Sequence, residues 1–320
     1  MKLKKFFIVF LISLPFWWGI NLCQKSLEDF LFSQYYQPPL SAQIGFAVLD
    51  AEKEKIDVSN FDIEANAAIS VKVDKGGKEK VLFEKNSEAP LPLASLTKLV
   101  TAWVVFEYPE YYDFSREVRI SQESIKKEGD SGLSEGQIVS INDLLYSMLI
   151  DSSNDSAYAI AEALVPETEA KSEQIAEAFV SLMNLGAKEN IGLKRTFFVN
   201  PTGLDPEDQT QIPNYSTARD LVELSKNILF KHPEIFEISK NNSALIFGDY
   251  LAVNKNIILN HNTIGRKTGW TPRAGGCILI VQKNQKGEYF INVILGTDSP
   301  DSRFSEMEKL INRYQYTNEY

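Results

Sequence analysis

Behind a basic start, Met1-Lys2-Leu3-Lys4-Lys5, residues 6–22 are apolar apart from Ser13 and Asn21. After that the apolar positions come in shorter units whose period changes. Residues 67–73 alternate like a strand, 74–78 hold the glycine pair of a hairpin turn, and 81–84 return. Residues 96–106 are apolar almost throughout and predict a buried helix, entered around Pro92 and Ser95 and ended near Pro109. Residues 118–141 are loop-rich, with short strand-like pieces. Asn142 or Asp143 is expected to cap a helix through Ile150. That helix breaks at Asp151-Ser152-Ser153-Asn154-Asp155, and a second one covers 156–164. Residues 169–185 read as an amphipathic helix stopped by Gly186. Residues 197–205 read as an apolar strand running into a turn, and Ser216 as the cap of a helix through Phe230. Three strands follow at 264–270, 276–282 and 289–296, the last two joined by a turn at 284–287, and 301–314 predict a final helix.

The N-terminal run is about 17 residues, at the short end for a membrane helix and long for a signal segment. Its lysines predict a cytoplasmic N-terminus, and Trp17 and Trp18 suit the opposite interface. No Ala-x-Ala cleavage site follows, and Asn21-Leu22 before Cys23 lacks the small residues of lipoprotein cleavage. Residues 1–24 are therefore expected to be an uncleaved anchor, with a cleaved signal as the alternative. Either places the rest of the chain at the extracytoplasmic face of the cell membrane. Residues 25–64, with Pro38-Pro39, read as a stalk, and 65–320 as the catalytic domain.

Composition narrows the chemistry. A net charge of -10 argues against nucleic acid as a partner, because binders of nucleic acid carry a basic surface. Two cysteines, Cys23 and Cys277, build neither a disulfide framework nor a paired-cysteine metal motif. Two histidines, His232 and His261, put a multi-histidine zinc site out of reach, so no metal and no cofactor are expected. Gly129-Asp130-Ser131-Gly132 has the look of a trypsin-like nucleophile motif, but no histidine precedes it and a plain turn explains it better.

Ser95 and Lys98 lie three residues apart on the predicted apolar helix, one turn from each other on one face. A serine becomes a useful nucleophile when a neighbouring base takes its proton. A lysine serves as that base when apolar surroundings or a nearby cation lower its pKa. The N–H groups of the first helical turn suit an oxyanion. The pair alone is a weak signal: Ser-x-x-Lys turns up about once by chance in such a chain, and Ser124 to Lys127 is a second copy. Two further pieces strengthen it. Ser152-Ser153-Asn154 is a polar break between two apolar helices, and Lys267-Thr268-Gly269 occurs once, on a predicted strand before a glycine pair.

Ser-x-x-Lys, Ser-x-Asn and Lys-Thr-Gly together are the signature of penicillin-binding proteins and serine β-lactamases. Between residues 65 and 314 the chain resembles the serine D-alanyl-D-alanine carboxypeptidases, the low-molecular-mass penicillin-binding proteins of peptidase family S11. Residues 198–204, Tyr215-Ser216-Thr217-Ala218 and Ala274-Gly275 resemble family segments in the expected order. The resemblance implies an α/β (α+β) fold, an antiparallel sheet flanked by helices with a mainly helical subdomain. It also implies roles. Ser95 would attack the carbonyl between two D-alanines of a peptidoglycan stem peptide, and Lys98 would take its proton. Ser152 would relay a proton to the leaving amine, and Asn154 would hold Lys98 and the substrate amide. Lys267 would supply positive field and Thr268 would bind the terminal carboxylate. Gly269 belongs to the same strand, the N–H groups of Ser95 and Trp270 would form the oxyanion hole, and Arg303 would lie near the carboxylate. β-Lactam antibiotics are expected as covalent inhibitors.

The chain departs from the family at Leu93, where proline is usual, and at Ser153, where glycine is usual; neither removes a reacting group. Many relatives carry a C-terminal β-rich domain and amphipathic anchor, for which the sequence up to Tyr320 leaves no room, so the tether is expected at the N-terminus. The alternatives are a β-lactamase, for which Glu162, Glu167 or Glu169 would supply the deacylating carboxylate, a DD-endopeptidase of the same fold, and a catalytically silent wall-binding protein.

Overall fold

The computed structural model describes residues 61–127, 132–165, 171–258 and 262–315. The N-terminal apolar run, most of the predicted stalk, the Gly129–Ser131 part of the turn motif, Glu167, Glu169 and His261 lie outside these residues.

A five-stranded antiparallel sheet carries the molecule. Its strands are β1 (Ala67–Val73), β2 (Glu79–Lys85), β3 (Thr263–Thr271), β4 (Gly275–Lys283) and β5 (Tyr289–Thr297), in the spatial order β2-β1-β5-β4-β3. The chain leaves the sheet after β2, builds the helical part and returns for the last three strands. In β1 both faces are covered: Ala67, Ile69, Val71 and Val73 make one apolar face, and the other carries Ala68 and a buried Ser70 bonded to Asn292. Ile69, Val71, Leu279, Val281, Ile291 and Val293 join the main core with the helices. Ala68, Ile278, Ile280 and Ile294 form a smaller core on the other face. There they meet Phe304, Met307, Leu310 and Ile311 of the C-terminal helix, together with Ile63. Phe61 packs edge-on to Phe83, and Glu306 accepts a hydrogen bond from the Glu64 N–H, so residues 61–64, assigned to the linker from sequence, lie on the sheet.

The α-helices of six residues or more among the described residues are α1 (Lys98–Glu107), α2 (Ile141–Tyr146), α3 (Asn154–Glu162), α4 (Ser172–Leu185), α5 (Ala218–Lys231), α6 (Glu234–Ser239) and α7 (Ser302–Gln315). α1 is buried from Lys98 to Val105, as its apolar run predicts, and Tyr108 ends it. Several local expectations are corrected. Ser95 caps nothing: it lies in a 3-10 turn, Ala94–Thr97, ahead of α1. Ser140, not Asn142 or Asp143, caps α2 by accepting from the Asp143 N–H. α4 ends at Leu185 with Gly186 as its C-cap, as expected, but Gly186 does not end the helical path. The chain continues through a π-helical turn to Gly192, whose φ of 85° ends it. Gly186 is instead the place where Trp103 lies flat on the helix, since a Cβ there would come within 2.3 Å of the indole. Thr217, not Ser216, caps α5. Residues 197–205 form a loop with one bridge, Phe197 to Tyr215, because side chains rather than a neighbouring strand satisfy their backbone groups.

Candidate active site

The site lies where the Ala94–Thr97 turn, the α2–α3 junction, the 197–205 loop and the edge strand β3 meet. Two glycines let them approach. A Cβ on Gly269 would sit 2.8 Å from the Ser95 backbone nitrogen, and one on Gly203, at φ +85°, would sit 2.0 Å from the Ala94 carbonyl oxygen. Ala94 itself holds a φ of 46°, a left-handed backbone unusual for alanine, immediately before the serine. The neighbouring backbones thus clamp the turn that presents Ser95.

Lys98 opens α1 and is fully buried. Its Nζ lies 2.8 Å from Ser95 Oγ, 2.7 Å from Asn154 Oδ1 and 2.7 Å from the Thr202 carbonyl oxygen. The α2–α3 junction supplies Asn154 by an irregular path. After α2 the chain makes a π-helical turn, Ser147–Asp151, and Ser152 then takes the left-handed conformation at φ 65°. Ser153 caps α3 by accepting from the Ser156 N–H at 3.0 Å. The extra residue of a π-turn redirects side chains at a helix end, a recurrent feature of functional sites. Here it turns Ser152 towards β3, where its Oγ accepts a 2.6 Å hydrogen bond from Lys267 Nζ. Lys267 is only 2% exposed and also donates to the Thr268 carbonyl.

Electrostatics separate the two amines. Burial pushes the Lys98 ammonium well below its ordinary value, the charges of Lys267 and Lys255 add to this, and Asp155 opposes them. Burial, with Lys255 and then Arg303, lowers Lys267 to about 7, against Asp151. Desolvation and neighbouring cations thus favour the free-base form of Lys98, the state a general base needs, while Lys267, at about 7, is near half protonation at neutral pH.

The remaining positions called from sequence fall around this pair. Thr268 is buried on β3, and Trp270 is half exposed at the mouth of a cleft of about 860 Å³, lined also by Asn154, Thr202, Tyr158 and Thr271. Arg303, at the start of α7, reaches the site from behind and donates to the Gly269 carbonyl at 2.8 Å. The second Ser-x-x-Lys copy is disposed of by its partners: Ser124 donates to Glu162 at 2.6 Å, and Lys127 lies over the Tyr158 ring. Glu162 is held by Ser121 and Ser124 and does not itself line the cleft. His232 pairs with Glu107 at the far end of α1. Among the described residues no three His, Cys, Asp or Glu side chains gather in a way that could hold a metal ion.

Sequence reasoning missed the part played by residues 197–214. Asn214 accepts from the N–H groups of Val199 and Asn200 and donates to Thr97 Oγ1 and the Asn200 carbonyl, and Asn200 accepts from the N–H groups of Thr202 and Gly203. This network delivers the Thr202 carbonyl to Lys98. The Asn200-Pro201-Thr202-Gly203 segment was visible as a family-like stretch, but a backbone oxygen leaves no signature in a sequence.

This arrangement has known relatives. The structure overlays penicillin-binding protein D2 of Listeria monocytogenes, solved with cefotaxime and with ampicillin bound, at a TM-score of 0.68 and 27% identity, over 79% of this chain and 98% of that one. The fold is therefore that of the penicillin-binding proteins. The family model of the D-alanyl-D-alanine carboxypeptidases, peptidase S11, matches residues 53–299, and the chain belongs to that family. It is 32% identical to the D-alanyl-D-alanine carboxypeptidase DacF of Bacillus subtilis over 84% of this chain and 66% of the relative. It is also 32% identical to DacC of Escherichia coli, over 72% and 57%. The chain thus spans between 57% and 66% of the length of these two relatives.

Proposed function

We propose that the protein is a serine-type D-Ala-D-Ala carboxypeptidase that removes the terminal D-alanine of peptidoglycan stem peptides and is acylated by β-lactams. One observation carries the reading: a fully buried amine, Lys98 Nζ, 2.8 Å from Ser95 Oγ, whose pKa burial and then nearby cations lower. The free amine takes the Ser95 proton as Oγ attacks the penultimate D-alanine carbonyl. The N–H groups of Ser95 and Trp270 would receive the oxyanion, and Gly269 permits the close approach of the two strands of backbone that carry them. The proton passes through Ser152 to the leaving amine as the C–N bond breaks, and D-alanine departs with an ester left on Ser95. Water then attacks that ester, Lys98 again taking a proton, and Oγ recovers its own. Lys267 and Thr268 would receive the terminal carboxylate, with Arg303 adding positive field through β3.

A class A β-lactamase would need a deacylating glutamate near the ester, and of Glu162, Glu167 and Glu169 the first is engaged by the hydroxyls of Ser121 and Ser124. The test combines two measurements on the full chain. A fluorescent penicillin should label the protein stably, and Ser95→Ala should abolish labelling while Ser124→Ala retains it. Mass spectrometry of a disaccharide pentapeptide after incubation should show loss of one D-alanine. Steady hydrolysis of the β-lactam, or labelling at Ser124, would refute the reading.

A further inference from the structure

Ser152-Ser153-Asn154 is flanked on both sides by an aspartate, and each bears on a different lysine. Asp155, 2% exposed, opposes the loss of charge on Lys98. Asp151 acts on Lys267. Its side chain is 13% exposed, in a wall built by a short hairpin, Ser243–Ile246 and Tyr250–Val253. Tyr250 donates its hydroxyl to Asp151 Oδ2 at 2.8 Å, and its ring lies against Gly132, where a Cβ would come within 2.7 Å of it. Lys255, two residues beyond the hairpin and 61% exposed, pairs with Asp151 Oδ1 at 3.6 Å. The carboxyl group therefore pairs with an outer cation and directly precedes the residue that accepts from Lys267; burial raises its own pKa, against Lys255, Tyr250 and Lys267.

We propose that Asp151 is a positioning residue: held by Tyr250 and shared with Lys255, its carboxylate sets the Ser152 turn and keeps the positive charge on Lys267, through which the substrate carboxylate is drawn in. The proposal rests on the reading of Ser95 and Lys98 given above. The physical need follows from crowding. Beyond burial, Lys255 and Arg303 both bear on Lys267, and nearby cations favour release of its proton. Asp151 is the acidic group that acts against them. Without it the buried Lys267 would give up its proton at lower pH and leave the carboxylate of the substrate or β-lactam without a cationic partner. Lys255 acts in the opposite sense from outside. A substitution there moves the same balance at an exposed residue, with no threat to folding.

The test is the pH profile of the second-order rate of acylation by a fluorescent penicillin, measured on the full chain. Asp151→Asn keeps an oxygen for the Tyr250 hydroxyl but loses the charge. Its alkaline limb should move down by about one pH unit, the low end of the effect of a nearby opposite charge, while the acid limb, set by Lys98, stays in place. Lys255→Gln should move the alkaline limb up, by less at high salt because Lys255 is exposed and screened. A role confined to packing would scale the whole profile of Asp151→Asn without moving either limb. That outcome, or a Lys255→Gln alkaline limb that stays with the parent's, overturns the proposal. If the parent is not acylated at all, the functional reading fails instead.

Discussion

At the residue scale the site depends on two lysines that must differ in charge. For Lys98 and Lys267 the sign of the pH dependence follows from burial and neighbouring cations, which lower both. Acylation in the free enzyme should rise as Lys98 loses its proton on the acid side, and fall as Lys267, at about 7, loses its own. Stability has its own sign. The unfolded chain holds the Lys267 proton up to the ordinary value of 10.5, the folded chain only to about 7. The unfolded state binds more protons across that window, so this residue lowers stability fully below pH 7 and progressively less as pH rises. Lys267→Met, which retains the apolar stem, should therefore cut acylation by about 10²–10³-fold, the cost of losing a charge-stabilising group. Its melting temperature relative to the parent should be most favourable near pH 6 and lose that advantage towards pH 10. A constant difference at both pH values would mean that Lys267 is not the group titrating. Lys267 is 2% exposed because both faces of this edge strand are covered from Gly265 to Gly269.

At the element scale the close approach of β3 to the Ala94–Thr97 turn decides whether the reacting groups meet. Gly269 alone stands between Ser95 N and the strand. Gly269→Ala should push them apart by several tenths of an ångström or more and lower penicillin acylation by about 10²-fold, comparable to the loss of one oxyanion donor. The fold should survive, since β3 is held along its length by β4. Labelling at the parent rate would place the oxyanion donors elsewhere. Asn214 is the counterpart on the other wall. It is 1% exposed and serves four backbone or side-chain partners. Asn214→Ala leaves several of these buried without a partner, which should cost about 2–3 kcal/mol in chemical denaturation, since each such group costs about 1–3 kcal/mol, and should loosen the Thr202 carbonyl from Lys98. A denaturation midpoint within error of the parent's would show that water replaces the amide.

At the scale of the whole molecule the sheet joins two cores, and its second face ties α7 to the site: Arg303 contacts Gly269 while Met307 and Leu310 fill the smaller core. Among the described residues no helix is long and apolar enough to cross a membrane. We propose that residues 6–22, behind Lys2, Lys4 and Lys5, hold the protein at the outer face of the cytoplasmic membrane, where stem peptides are available. Fractionation should recover the full-length chain with membranes and release it with detergent but not with salt. Recovery of a soluble form beginning near Cys23 or Gln24 would show a cleaved signal instead.

Much of this was legible in the sequence by itself, wherever a local rule decides the outcome. The strands at 67–73, 276–282 and 289–296 and the buried run of α1 follow from period and apolar content. Ser95, Lys98, Ser152, Asn154 and Lys267 could be picked out because reacting side chains are residue types at fixed spacing. Tertiary structure decided what depends on non-local neighbours. The Ser95 turn became 3-10 rather than a capped α-helix because β3 and Gly203 press on it. Gly186 continued a helix because it had an indole to receive, and 197–205 stayed a loop because Asn200 and Asn214 satisfy its backbone. The direction of the Lys98 pKa was decided there too. Nothing in Ser-x-x-Lys shows that a lysine favours its neutral form; desolvation and the charges of Lys267 and Lys255, 169 and 157 positions further along the chain, push it that way.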